Sequence, residues 1–95
     1  MVMRDAVALN QVRERIAALY PGLGPDNVLV TNGSSEANFI ACHTLLEPGD
    51  EVVMMVPNYM QIWGIAEAMG ARPVAFHLRE ENGWALDLDE LRALL

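Results

Sequence analysis

Gly33, Ser34 and Ser35 are the residues of this chain whose types and spacing best suit ligand chemistry. Before them, Val28-Leu29-Val30-Thr31 has the branched and apolar side chains of a buried strand, and Asn32-Gly33 makes a turn. Ser34-Ser35-Glu36-Ala37 then opens a run that reads as helix. The first amides of a helix have no carbonyl one turn back to accept their hydrogens, and they all point the same way. A strand that turns through glycine into a helix can therefore hold an anion such as a phosphate. Gly33 has no Cβ to obstruct a close approach, and the two serines offer hydroxyl donors. The same residues also suit an ordinary turn capped by Asn and Ser, and both readings stay open at this point. Glu36, in the first helical turn, favours the helix dipole but repels an anion, so its side chain is expected to point away from the bend.

The remaining candidates read more simply. Cys42 is one cysteine with only His43 and His77 beside it, which excludes an internal disulfide and leaves no zinc-ligand spacing. It is expected to be a small buried apolar group. His43 lies in a helix interior and His77 on a strand, and both read as structural. Trp63 and Trp84 read as core or interface. Glu80, Glu81, Asp87, Asp89 and Glu90 read as a solvated face with a helix cap, not a metal site.

Composition narrows the classes. A net charge of -7, from 13 acidic and 6 basic residues, argues against nucleic acid or an anionic membrane surface as partner. Every basic residue is an arginine: Arg4, Arg13, Arg15, Arg72, Arg79 and Arg92. The chain has no lysine. Met1 to Asp5 lacks the build of a signal peptide, and no apolar run approaches membrane-spanning length. With a lone cysteine, these features suggest a reducing, cytoplasmic compartment. Ninety-five residues allow one small domain at most, and a hydrophobic fraction of 53% is high for so short a chain. Some apolar faces are expected to need covering.

The elements that must position the bend follow in order. Ala6, Leu9, Val12, Ile16 and Leu19 make one stripe of a helix over about Arg4 to Leu19, stopped by Tyr20-Pro21-Gly22. Gly24-Pro25-Asp26-Asn27 is a turn into the first expected strand, Val28 to Thr31. After the Ser-Ser turn, Phe39, Ile40, Leu45 and Leu46 lie along a helix that ends before Pro48-Gly49-Asp50. Glu51 to Val56 is an unbroken apolar strand, expected to be buried on both faces. Pro57-Asn58-Tyr59 closes it, and Met60 to Met69 is helical, with Ile62, Ile65, Ala66 and Met69 inward and Gly70 as terminator. Pro73 to Leu78 is a third strand, Asn82-Gly83 a turn, and Asp87-Leu88-Asp89-Glu90 a capping box before a last helix. A helix followed by repeated strand-helix units predicts an α/β fold of mostly parallel strands with flanking helices.

Five stretches in order resemble landmarks of the class I/II aminotransferases, pyridoxal-phosphate enzymes of fold type I. They are Asn32 to Asn38 (NGSSEAN), Leu46 to Val52 (LEPGDEV), Pro57-Asn58-Tyr59, Gly70 to Val74 (GARPV) and Leu86 to Leu91 (LDLDEL). The resemblance runs from Val28 to Leu95 and implies that residues 1–95 are the N-terminal part of a three-layer, cofactor-binding large domain, with no second domain present. By the resemblance, Gly33, Ser34 and Ser35 hold the phosphate of pyridoxal 5'-phosphate, and Tyr59 stacks on its ring. Both positions lie just past the carboxyl ends of expected parallel strands, where open sheets bind ligands.

The resemblance also implies a parent protein that transfers an amino group between an amino acid and a 2-oxo acid, as a homodimer. In the family a lysine bonds the cofactor and arginines grip the substrate carboxylate, in motifs that match nothing here. Without lysine, this polypeptide alone is expected to be inactive and to bind the cofactor weakly at best. In the family's sheet, strands from later in the sequence separate the counterparts of Val28–Thr31 and Val52–Val56. The chain is therefore expected to leave a gap, pair its strands differently, or borrow strands from a partner, since bare parallel edges invite association, and to behave as an oligomer or aggregate. Two other functions compete: a fold type I lyase, decarboxylase or regulator, and a phosphate-binding or interaction module without chemistry.

Overall fold

The apolar run Val52 to Val56 and the alternating run Pro73 to His77 find each other, and the rest of the second half of the chain is arranged around that pairing. A computed structural model describes residues 3–95; Met1 and Val2, the start of the segment read as unlike a signal peptide, lie outside it. The chain forms two compact units, Met1–Ala37 and Asn38–Leu95.

In the first unit, helix α1 spans Met3–Ala17. It ends in a tightened turn, where Leu19 N–H donates to Ile16 O and Tyr20 N–H to Ala17 O, both at 3.0 Å. The predicted apolar stripe is present but largely uncovered, since Leu9, Val12 and Leu19 are exposed and only Ile16 is half-buried. Pro25–Asn27 forms one turn of 3-10 helix that packs on α1. Arg13 of α1 clamps this turn: its Nε donates to Pro25 O and Val28 O at 3.0 Å each, and its Nη2 to Pro25 O at 2.7 Å.

Val28 to Thr31 differs from expectation. Val28 has extended dihedrals, φ -115 and ψ 120, yet no strand forms there and Leu29 is 70% exposed. The physical reason is that a strand exists only by pairing, and no neighbouring strand is present among the described residues to take its amides and carbonyls. Among the described residues the sheet holds β1 and β2 alone.

Helix α2, Ser34–Leu45, begins in the first unit and continues into the second. The second unit then holds strand β1 (Glu51–Val56), helix α3 (Gln61–Ala68), strand β2 (Arg72–His77) and helix α4 (Leu88–Leu94). β1 and β2 pair in parallel, from Glu51 against Arg72 to Val56 against His77, with Glu51 and Arg72 also ion-paired. α3 supplies the crossover that parallel strands require, and α3 and α4 both pack on β2. Gly70 ends the crossover at φ 77, a left-handed conformation suited to glycine. Its carbonyl accepts from Gly49 N–H at 2.9 Å, joining the turns before the two strands.

The core of this unit is small: Ala66 is fully buried, Phe76 is 3% exposed, and Cys42, Met54 and Ala71 complete it. Cys42 is thus the small buried apolar group expected. β1 is not buried on both faces, because Met54 is covered while Met55 is exposed. A two-stranded sheet has too few packing layers to cover both sides. The high hydrophobic content expresses itself as exposed side chains on α1, α2 and the extended segment.

Candidate functional site

The bend at Thr31 to Ala37 is built by short-range bonds. Gly33 has φ 93, a region L side chains rarely adopt, so glycine is needed for the chain to swing from the extended segment into α2. A Cβ placed there would meet nothing within 4 Å, so the face of the turn is open. Thr31 Oγ1 donates to Gly33 O at 2.9 Å, and Ala37 N–H donates to the same carbonyl at 3.4 Å. Ser34, Ser35 and Glu36 form the exposed first turn of α2, where the helix provides no carbonyl one turn back.

Glu36 corrects the sequence reading. Its side chain does not point away: Oε2 accepts from Asn32 N–H at 2.6 Å, so the carboxylate folds back onto the residue that enters the bend. A charged acceptor within reach of a backbone amide makes one of the stronger hydrogen bonds available, which outweighs full solvation of the side chain.

Tyr59 belongs to the second unit. It follows β1 through a cis Val56–Pro57 peptide, and its N–H donates to Asn58 Oδ1 at 2.7 Å. The residue is 72% exposed. Two residues later α3 begins, and Gln61 Oε1 accepts from Asn38 Nδ2 of α2 at 3.1 Å. The bend residues thus come together by adjacency alone, while Tyr59 stands at the carboxyl end of a paired strand.

His43 and Trp63 take structural places. His43 stacks on Phe39 at 4.0 Å, with Nδ1 3.0 Å from the Phe39 carbonyl. Trp63 Nε1 donates to Glu67 Oε1 at 3.1 Å. Among the described residues no group of His, Cys, Asp and Glu could hold a metal ion, and no helix is long and apolar enough to cross a membrane.

The expected capping box at Asp87 is only half made. Asp87 Oδ1 accepts from Asp89 N–H and Glu90 N–H at 3.0 Å each, but Glu90 does not return to Asp87. Its carboxylate instead accepts from Arg79 Nη1 at 2.6 Å and from His77 N–H at 3.3 Å. The Arg79 bond holds the Glu90 carboxyl below its ordinary range, against a smaller opposing effect of partial desolvation. Sequence spacing had no means of revealing this pair, because Arg79 and Glu90 meet only once β2 and α4 pack.

The sequence pattern "Aminotransferase class I and II" matches residues 3–95. The chain belongs to that family. Among curated relatives, a capreomycidine synthase from Streptomyces vinaceus is 45% identical, over 100% of this chain and 25% of its own length. An aspartate aminotransferase from Pyrococcus horikoshii is 39% identical, over 85% of this chain and 22% of its own. A PLP-dependent aminotransferase from Streptococcus suis 89-1591 superposes with a TM-score of 0.84 at 37% identity, over 90% of this chain and 23% of that one. The chain therefore spans about a quarter of the length of the relatives it matches. The α/β arrangement with a parallel strand pair agrees with those neighbours.

Proposed function

We propose that residues 1–95 are part of the cofactor-binding large domain of a pyridoxal-phosphate-dependent aminotransferase. In that proposal the parent protein moves an amino group between an amino acid and a 2-oxo acid, as a cytoplasmic homodimer. The observation that carries it is the Gly33 bend. It is a left-handed glycine with open space where a Cβ would stand, leading directly into the first turn of α2 in a chain matched by the family from residue 3 to 95.

The residues present suit the cofactor. Gly33, Ser34 and Ser35 would hold its phosphate with amides and hydroxyls, and Tyr59 would stack on its ring. Pyridoxal phosphate supplies an electron sink for breaking bonds at the amino acid's α-carbon. This chain's own residues bind and orient it. They include no lysine to bond it or shuttle a proton, so the chain alone has no route to turnover.

A helix-start contact is worth roughly 0.3 to 2 kcal/mol, a charged hydrogen bond about 1.5 to 3 and ring stacking up to about 1.5. Together they reach roughly 2 to 6.5 kcal/mol, against about 4 for a millimolar dissociation constant. Titrating the chain with pyridoxal 5'-phosphate at millimolar concentration is expected to shift the amide resonances of Gly33 to Ser35. Gly33→Ala should abolish the shift, and borohydride treatment should leave no side-chain adduct. Bend amides that stay silent when the ester is raised well beyond the weakest affinity in that range, or an adduct on a side chain, would overturn the proposal.

A second reading has one observation in its favour: the 45% identical relative is a synthase by name, not a transaminase. On that reading the parent uses the same cofactor for another reaction, and the bend and Tyr59 keep their roles. Assaying the parent with amino acids and 2-oxo acids separates the two, since only a transaminase gives the exchanged pair of products.

A further inference from the structure

We infer that Glu36 is a positioning residue for the Gly33 bend, acting through the Asn32 amide; the inference rests on the cofactor reading above. In an ordinary capping box the acidic residue three places into a helix bonds the amide of the capping residue itself. Here α2 starts at Ser34, so the capping residue is Gly33 and the acidic residue is Glu36. Glu36 reaches one residue further back and takes Asn32 N–H, at 2.6 Å. The offset has a consequence for anion binding: the box does not consume Gly33 N–H, which takes no backbone or side-chain acceptor among the described residues.

Two more bonds complete the frame. Thr31 Oγ1 and Ala37 N–H both converge on the Gly33 carbonyl, at 2.9 and 3.4 Å. The residue before the bend is thus held by Glu36, and the carbonyl within it by Thr31 and the helix. The Gly33 amide remains, on a residue that is exposed and has open space where a Cβ would stand. A loop already fixed in the binding geometry loses less entropy when a ligand arrives. The carboxylate is the strongest of these ties because it is charged and short. Its charge also works against a phosphate dianion nearby, so the role depends on its acceptor oxygen and not on its charge.

That distinction sets the test. In the 95-residue chain, hydrogen exchange at Asn32 N–H is followed by NMR, together with the affinity for pyridoxamine 5'-phosphate read from the Gly33 to Ser35 amides. Glu36→Ala is expected to speed Asn32 exchange by about tenfold and weaken the phosphate ester by a similar factor. Glu36→Gln keeps an acceptor oxygen without the charge and should restore both, binding the ester at least as tightly as the natural chain. Helical circular dichroism confirms that α2 persists, and Thr31→Val provides a second, milder loosening of the same frame. Unchanged Asn32 exchange in Glu36→Ala, or a Gln variant as impaired as the Ala variant, overturns the inference. If Asn32 exchange responds as expected while the bend amides ignore the phosphate ester even in the natural chain, the cofactor reading fails and the bracing role of Glu36 stands.

Discussion

Twice in this chain an apolar run leads through a short turn into a helix, and the two copies of that plan end differently. Val28 to Thr31 runs through Gly33 into α2; Glu51 to Val56 runs through Pro57-Asn58-Tyr59 into α3. The second run is a strand because β2 lies beside it in register from Glu51–Arg72 to Val56–His77. The first run has equally good residues but no strand partner among the described residues, and it is held at its start by Arg13. The contrast shows that residue type prepares a segment for a sheet, whereas the neighbouring strand makes it one. It also shows that the bend does not depend on the strand. Gly33, Thr31 and Glu36 shape it with bonds that span no more than four residues.

The contrast is broken or sharpened first by core substitution. Phe76 of β2 is buried and Leu29 of the unpaired run is exposed. Phe76→Ala is expected to cost about 3–5 kcal/mol of the second unit's stability, and Leu29→Ala about 0.5 kcal/mol or less of the first unit's. Chemical denaturation of both variants measures the difference; equal losses would mean that the Val28 to Thr31 run is packed in solution. Hydrogen exchange gives a smaller but more local contrast. Amides in the β1–β2 ladder should exchange about a hundredfold more slowly than those of Val28 to Thr31. Comparable protection in the two runs would indicate that the first has found a strand, for example from another copy of the chain. Concentration-dependent sedimentation distinguishes that case.

The smallest effect is a difference in acid response. The shorter bonds of the Arg13 clamp on the first run end on backbone carbonyls, which do not titrate, and the Asp26 carboxylate is a longer contact of Arg13 at 3.5 Å. The end of β2 is tied to α4 through Glu90, whose folded pKa is lowered by Arg79. A carboxyl with a lowered folded pKa stabilises the fold fully above its unfolded pKa, and that stability is lost as pH falls through the folded value. Acid below the ordinary carboxylate range should therefore loosen α4 from β2 while the Arg13 bonds to Pro25 and Val28 persist. The Glu90→Gln variant should lose this acid dependence, with NMR shifts of His77 and Leu91 as the measure.

Much of the second unit was legible residue by residue. The spacing of Ile62, Ile65 and Ala66 marked α3, the Val-Val-Met-Met-Val run marked β1, and Asp87 marked the start of α4. The turn into α2 was legible because Asn32-Gly33 and two serines before a helical run mark a helix start, whether or not it holds a ligand. Glu36 was misread, because the dipole and charge arguments concerned a helix in isolation and left out the Asn32 amide within the side chain's reach. The Glu90–Arg79 pair was invisible, because its partners stand 11 residues apart and meet through packing.

The order of residues alone determined where the chain turns, which segments are helical, and that a glycine bend opens α2. These are properties of neighbours within about one helical turn, where backbone sterics and local hydrogen bonds act without help. Only the tertiary structure decided which apolar run became a strand, which faces stayed bare, and which donor the Glu90 carboxylate met. Those outcomes depend on what distant segments bring alongside, and a pattern of side chains cannot state which partners will be there.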